Sequence, residues 1–363
     1  MSTIKLLPFL LILISSCKNE QANTYAIKDF RKSLQPIFAD YVSKGMVTYH
    51  GDLLEKKMGE SELVLLSKSE NPLLRATAFG EMLNRKSFNH FNVVIDHLAD
   101  TAIVAVDNGE FGISFERVSD YLLKNASWET LQEKNKTIEA VLIGHNYLRS
   151  AYTILFNLEP QEKYYTYIKD MASRPRQLDG IYELRFDEIE YALYGLAKFR
   201  KKEDVWIIYN EMKNHVGELS DISFRLMREF PDSSYLDILQ DYHRRNFYRF
   251  SGNRPHGFTG YYADKAAPED FINALVVQEN TRSAEILDKM LEYLPKYKCM
   301  PDGENILIAL AVAIWKHPCP AYIKIREKVR LKAEKKIKEE ISIPNETYPE
   351  ARDTTKRTYN WIN

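Results

Sequence analysis

Apolar residues recur at intervals of three and four positions along nearly the whole chain after residue 25. In the first such stretch the apolar residues are Ile27, Phe30, Leu34, Phe38 and Tyr41. This spacing places side chains on one face of an α-helix. Glycine and proline, 14 of each in 363 residues, are too scarce for the frequent turns of a sandwich or a barrel. The sequence therefore predicts an all-α protein built from amphipathic helices.

The helices come in pairs that are separated by short polar breaks. Asn71 and Pro72 supply an N-cap and a first-turn proline for one helix. A polar break at residues 85–87 separates this helix from an apolar stripe over residues 91–98. Residues 107–112, Asp-Asn-Gly-Glu-Phe-Gly, are predicted to form a turn between two such helical hairpins.

The pairing repeats further along the chain. Ile208 and Ile238 occupy the same place in successive predicted hairpins, as do Met212 and Tyr242, and each pair is 30 residues apart. A repeat of this length indicates an α-solenoid, in which each hairpin buries its apolar face against its neighbours. An irregular helical bundle without a true repeat is the alternative.

Two stretches resemble HEAT repeats. They are residues 71–78, Asn-Pro-Leu-Leu-Arg-Ala-Thr-Ala, and residues 192–199, Ala-Leu-Tyr-Gly-Leu-Ala-Lys-Phe, with Glu-Asp-Val following at 203–205. The resemblance extends over roughly half of the chain. It implies an α-solenoid of HEAT-like helical hairpins in one repeat domain, residues 26–341, followed by a polar C-terminal tail, residues 342–363.

The N-terminus has the features of a secretory signal peptide. An apolar run from Leu6 to Ile14 follows Lys5 and precedes two serines. This run is too short to cross a bilayer core, which requires about 20 residues. A positive charge, a short apolar segment and small residues in this order are typical of a cleaved secretion signal.

The tetrapeptide Ile14-Ser15-Ser16-Cys17 resembles the lipobox of bacterial lipoproteins. The resemblance implies cleavage of the signal peptide 1–16, a diacylglyceryl group on the Cys17 thiol and a fatty acid such as palmitate on its amino group. Residues 17–25 would form a polar tether to a membrane of the bacterial cell envelope, the outer rather than the inner one, on its periplasmic or surface-exposed face. A plain cleaved signal peptide with an incidental cysteine is the alternative.

The charge balance and the remaining cysteines limit the partners and the cross-links. The chain carries 50 basic and 51 acidic side chains, so no overall field attracts nucleic acid, and no nucleic-acid partner is expected.

Cys299 and Cys319 flank a predicted helix, residues 303–316, of roughly 20 Å. A disulfide tolerates a Cα separation of about 7 Å at most, so two separate thiols are expected.

The strongest candidate for a ligand site is the segment 243–265. It combines arginine and histidine with aromatic residues and glycines, and its candidate ligand-binding residues are Arg245, Arg249, Arg254, His256, Tyr261 and Tyr262. Guanidinium groups beside aromatic faces hold carboxylates, phosphates or sugar rings. The segment therefore predicts a site for an anionic small ligand or a glycan. The alternative is a solvated helix end followed by an ordinary linker.

Motifs for catalysis are missing from the sequence. It has no Gly-x-Ser-x-Gly elbow, no His-Glu-x-x-His and no glycine loop for a phosphate. Acidic residues at 187, 188 and 190 are attributed to the dipole of a helix start. No catalytic residue, metal or cofactor is therefore expected, although the missing motifs do not exclude an enzyme of unknown type.

The last long helix, residues 322–340, is strongly basic and has a thin apolar stripe. Such a face is typical of helices that lie on anionic lipid, but a terminal repeat also needs a polar outer face, and the capping interpretation is preferred.

The most favoured function is a protein-interaction scaffold, anchored through Cys17, that binds another cell-envelope protein. Ligand binding by the segment 243–265 is the second hypothesis.

Overall fold

The computed structural model describes residues 24–47, 57–109, 112–174, 186–247, 268–293 and 303–331. In these ranges the regular structure is helical except for one two-stranded antiparallel sheet, so the all-α prediction is confirmed. The chain divides into two compact units, one ending at Thr137 and the other beginning at Ile138. The predicted signal peptide, Cys17, Cys299 and the tail 342–363 lie outside the described residues.

Unit 1 contains a 3₁₀ helix, five α-helices and the start of a sixth among its described residues, together with the sheet. Their bounds are Ile27–Asp29 (3₁₀), α1 Gln35–Lys44, α2 Glu60–Leu66, α3 Pro72–Asn84, α4 His90–His97, β1 Ile103–Asp107, β2 Ile113–Arg117, α5 Val118–Asn125 and α6 Leu131–Gly144. The boundary between the units falls within α6.

Helix α3 is the centre of unit 1 and contacts α1, α2, α4, α5 and β1. It begins as the sequence predicts, because the side chain of Asn71 accepts a hydrogen bond from the Leu73 amide at 2.9 Å and Pro72 is the first helical residue. A Cβ atom at Gly80 would lie 2.6 Å from the hydroxyl oxygen of Tyr121 on α5. The glycine therefore permits the close approach of these two helices.

The sheet corrects one expectation from the sequence. Residues 107–112 connect β1 to β2, not two helical hairpins, and Val104 pairs with Glu116 while Val106 pairs with Ser114. On the other edge of β1, the Val47 amide donates to the Ala105 carbonyl at 2.8 Å and the Val47 carbonyl accepts from Asp107 at 3.0 Å.

The outer edge of β2 follows from this register. Because Ala105 and Asp107 turn their backbone groups toward Val47, their partners Phe115 and Ile113 turn theirs away from β1. No other described segment forms a backbone hydrogen bond with either residue on that side. Both side chains are also exposed, so β2 is an open edge strand within the described part of the chain.

Unit 2 continues as a series of helices. Their bounds are α7 Arg149–Asn157, Glu162–Tyr164 (3₁₀), α8 Tyr165–Ala172, α9 Phe186–Ala197, Lys202–Asp204 (3₁₀), α10 Val205–Asn214, α11 Asp221–Glu229, α12 Tyr235–Phe247, α13 Pro268–Val276, α14 Thr281–Tyr293, α15 Gly303–Lys316 and Pro320–Tyr322 (3₁₀). Residues 323–331 are helical as well.

The helices of unit 2 pack in two rows. In the first row α7, α9, α11, α13 and α15 each contact the next, and in the second row α10, α12 and α14 do the same. The residues that the repeat pairs, Ile208 with Ile238 and Met212 with Tyr242, are all buried. Consecutive helices of each row therefore bury apolar side chains against one another.

Helix α9 lies inside the first row, and every residue of it except Asp187 is buried. The attribution of its acidic residues to the helix dipole is therefore incomplete, because Glu188 and Glu190 are buried partners of other helices. Glu188 forms an ion pair with Arg149 of α7 at 2.8 Å. Buried carboxylates of this kind require specific partners.

Glu190 joins α9 to the N-terminus of α11. Its carboxylate accepts hydrogen bonds from the Ser220 amide at 3.0 Å, from the Ser220 hydroxyl at 2.8 Å and from the Ser223 hydroxyl. Burial raises the pKa of Glu190 to about 7, although these hydrogen bonds oppose the shift. A titratable group thus sits inside the contact between two successive hairpins.

Lys198 joins the end of α9 to the end of α7. Its ammonium group donates to the carbonyl oxygens of Leu155, Phe156 and Leu158 at 3.2, 2.7 and 2.9 Å. These carbonyls belong to the C-terminus of α7, where a helix leaves its acceptors without partners. Burial lowers the pKa of Lys198 to about 8, against the opposing effects of Glu159 and Glu229. The side chain is still protonated at neutral pH and caps α7.

Candidate partner-binding surface

The segment 243–265, which the sequence singles out as a ligand site, is described only at its start. Arg245 lies on α12, is about half exposed and pairs with Asp241 at 3.2 Å. The other five candidate residues, Arg249, Arg254, His256, Tyr261 and Tyr262, lie outside the described residues. The described residues therefore do not test whether these six side chains lie close together.

His243, at the beginning of the same segment, is a core residue. Its ring lies parallel to that of Phe271 on α13, at a centroid distance of 6.3 Å and an angle of 3°. Burial, with a smaller effect of Lys289, lowers the pKa of His243 to about 4. The imidazole is neutral at physiological pH and offers no charge to an anionic ligand.

An aromatic pair on α10, an exposed tryptophan and a half-buried tyrosine, is the clearest candidate for a binding surface. The side chain of Trp206 is 67% exposed, and its ring stacks on that of Tyr209 at 5.8 Å and 20°. Tryptophan is highly buried on average in folded proteins, so this exposure requires a reason. We call Trp206 and Tyr209 the α10 aromatic surface.

The orientation of α10 explains why this surface faces outward. Ile208 and Met212 are fully buried and fix the inner face of the helix. Trp206, Asn210 and Lys213 are then spaced along the opposite side, at intervals of four and three residues. The indole of Trp206 and the ammonium group of Lys213 are exposed, and the half-buried side chains of Tyr209 and Asn210 lie beside them.

A buried carboxylate holds the start of α10 in place. Asp204 is fully buried, accepts a hydrogen bond from the Tyr165 hydroxyl at 3.0 Å and pairs with Lys169 at 2.8 Å. Hydrogen bonding to Asp204 also raises the pKa of Lys169. Because Tyr165 and Lys169 belong to α8, the contact fixes the first turn of α10 relative to the preceding hairpin.

A cation on the same turn strengthens this contact. The ammonium nitrogen of Lys201 lies 3.4 Å from the ring centroid of Tyr165 and 2.5 Å from a carboxylate oxygen of Glu162. A cation over an aromatic face contributes about 0.5–1 kcal/mol at an exposed site. Trp206, two residues beyond Asp204, is therefore carried on a rigid support.

In a second aromatic cluster, in the first row, the charged groups are paired with one another. The guanidinium carbon of Arg225 lies 5.3 Å from the ring centroids of both Phe156 and Tyr194. Arg225 also pairs with Glu229 at 2.9 Å, and Glu229 accepts a hydrogen bond from the Tyr194 hydroxyl at 2.9 Å. Since these charges are paired with one another, the cluster is better suited to holding α9 and α11 together than to binding a ligand.

The described residues were also compared with the requirements of a metal site, a reactive thiol and a membrane span. No group of three or more His, Cys, Asp and Glu side chains there is placed to hold a metal ion. Cys319 is a free, half-buried thiol whose Sγ lies 3.3 Å from the carbonyl oxygen of Glu279. None of the described helices has the length and the apolar content of a membrane span.

Sequence reasoning missed the α10 aromatic surface. The available signal was a tryptophan that follows Lys202, Glu203 and Asp204 and is out of phase with Ile208 and Met212.

Comparison with protein-family models, with curated proteins and with solved structures gave no match for this chain.

Proposed function

We propose that this chain is a lipid-anchored protein of the bacterial cell envelope that serves as a protein-interaction scaffold. In this proposal the two rows of unit 2 belong to a HEAT-like α-solenoid, and the α10 aromatic surface is a principal contact for a partner protein. The observation that carries the proposal is the 67% exposure of Trp206 beside a stacked Tyr209.

The chemistry of this surface favours a protein partner. Tryptophan and tyrosine are enriched among the residues that contribute most to protein interfaces, since each buries a large rigid area and keeps a hydrogen-bond donor. Sites for small ligands are concave clefts, whereas Trp206 lies on the outer side of a helix whose inner side is fixed by Ile208 and Met212. Its rigid support limits the ordering cost of binding.

The anchor is supported by the sequence Ile14-Ser15-Ser16-Cys17. Two or more acyl chains on one residue give stable attachment, because each buried CH₂ contributes about 0.8 kcal/mol. We expect Cys17→Ser to move the protein from the membrane fraction to the soluble fraction, or to leave the signal peptide uncleaved. Fractionation in about 1 M NaCl, which screens attraction between exposed charges, and intact-mass analysis of the purified protein measure both outcomes. Unchanged membrane association with a normal N-terminus would contradict the anchor alone.

The surface is tested by cross-linking in intact cells. A photoreactive amino acid at Asn210, on the same side of α10 as Trp206, is expected to give a discrete protein adduct. Trp206→Ala should reduce the yield of that adduct at least tenfold, since a central aromatic contact contributes about 2 kcal/mol or more. Leu131→Ala is the matched control, because Leu131 is also an exposed apolar residue, at 72%. An adduct that persists in Trp206→Ala would exclude this surface as the contact.

Binding of an anionic ligand or a glycan through the segment 243–265 stays a prediction. Its one described candidate residue, Arg245, already shares the carboxylate of Asp241 with Arg244, so the described part of this segment favours the protein-binding function.

A further inference from the structure

The helical segment 323–331 is firmly attached to the body of unit 2. The buried side chains of Tyr322, Ile325 and Val329 face inward. The Tyr322 hydroxyl donates to the Val276 carbonyl at 2.8 Å and lies 2.8 Å from the Ser283 hydroxyl. The orientation of the segment is therefore fixed, and its opposite side is a defined surface of the folded protein.

That opposite side carries two apolar side chains in contact with solvent. Ile323 is 62% exposed and Leu331 is 73% exposed. They are eight residues apart, which places them within about 80° of each other around a helix. The outer face of a terminal repeat is expected to be polar, so capping alone does not account for these two residues.

The same segment is strongly basic. It contains Lys324, Arg326, Lys328 and Arg330 and one acid, Glu327, and the sequence continues with four more lysines up to residue 338. The chain as a whole has a net charge of −1, so the positive charge is local. Part of this charge is paired within the protein. Arg326 donates to the His317 carbonyl at 2.8 Å, Lys328 pairs with Asp288 at 2.6 Å, and Arg330 pairs with Glu327 at 2.8 Å. Lys324 is exposed to solvent.

We propose that residues 323–331 dock on an anionic lipid surface, with Ile323 and Leu331 entering the acyl region and the basic side chains lying among the phosphate headgroups. Apolar residues flanked by lysine and arginine on one side of a helix give this mode of binding. Each basic residue near such a surface adds about 1 kcal/mol of attraction, and the apolar side chains add to it. Opposite charge selects an anionic lipid surface as the occupant.

The docking does not depend on the acyl anchor, so the two are tested separately. The mature chain, residues 17–363 with Cys17→Ser, carries no acyl group and is mixed with vesicles of phosphatidylcholine, with or without phosphatidylglycerol. We expect binding only to the vesicles that contain phosphatidylglycerol. Raising the NaCl concentration from about 0.1 M to about 1 M shortens the Debye length from about 10 Å to about 3 Å and should release most of the protein.

Variants of the exposed face separate lipid docking from simple adsorption. Ile323→Ser with Leu331→Ser is expected to lower the vesicle partition coefficient at least tenfold, and Lys324→Glu several-fold. Ile113→Ser with Leu131→Ser is the matched control, because both of these residues are exposed apolar side chains, and it should bind as the parent does. Circular dichroism establishes that each variant is folded.

Three results would overturn the proposal. They are equal or absent binding to both kinds of vesicle, unchanged binding of the Ile323/Leu331 variant, and self-association that depends on Ile323 and Leu331, which would assign the face to a second copy. None of these results bears on the cross-linking at Asn210 or on the fractionation of Cys17→Ser.

Discussion

Glu190→Gln is expected to become more stable than the parent chain as the pH rises. The carboxyl group of Glu190 has a pKa of about 7 in the folded protein and an ordinary value near 4.5 when unfolded. Its contribution to stability is therefore fully present below about pH 4.5 and is lost as the pH rises through 7. This loss amounts to about 3 kcal/mol of unfolding free energy, and glutamine, which is uncharged at every pH, avoids it.

Chemical denaturation of both proteins between about pH 4.5 and pH 8 measures the effect as a difference in unfolding free energy. The difference should be small at the acidic end and should reach about 3 kcal/mol above pH 7. Glu203→Gln is the control, because Glu203 is exposed in the same unit and a surface substitution of this kind changes stability by about 0.5 kcal/mol or less. A Glu190→Gln curve that runs parallel to the parent's would refute the assignment.

Lys198→Met is expected to lower the unfolding free energy by about 3 kcal/mol at neutral pH. Methionine retains the apolar stem but removes the ammonium group that donates to Leu155, Phe156 and Leu158. These half-buried carbonyls lose charged hydrogen bonds, each of which contributes about 1.5–3 kcal/mol, and water replaces them only in part. The C-terminus of α7 then lacks its cap.

Urea denaturation at neutral pH measures this change. Lys213→Met is the matched control, because Lys213 is exposed on α10 and a surface substitution of this kind changes stability by about 0.5 kcal/mol or less. Lys198→Arg should recover only part of the loss, because a planar guanidinium does not point three donors at convergent carbonyls. A loss below about 1 kcal/mol for Lys198→Met would mean that water caps α7 equally well.

Local signals in the sequence predicted the helices well. Asn71 and Pro72 mark the first turn of α3, and the apolar stretch 303–316 matches the bounds of α15. Capping chemistry and apolar periodicity are properties of neighbouring residues, so they can be recognised without tertiary information. The burial of Ile208 and Ile238 at matching positions follows from the same periodicity.

The features that were missed depend on contacts between distant residues. Residues 103–106 form a short apolar run that fits a helix or a strand equally well, and pairing with the segment 113–117 makes it a strand. Glu190 begins a helix in sequence, but the packing of α7 and α11 around α9 buries it. Trp206 is exposed because Ile208 and Met212 determine the orientation of α10.

The open edge of β2 has a consequence for the behaviour of the folded protein in a crowded compartment. Unpaired strand edges are the usual starting points of aggregation, and proteins limit this risk by keeping such strands short or irregular. Here the strand spans only Ile113–Arg117, so an incoming chain gains few backbone hydrogen bonds before the edge ends. The short length of β2 therefore limits aggregation through this edge. A longer strand would offer more unpaired backbone groups, on which other chains could add as further strands.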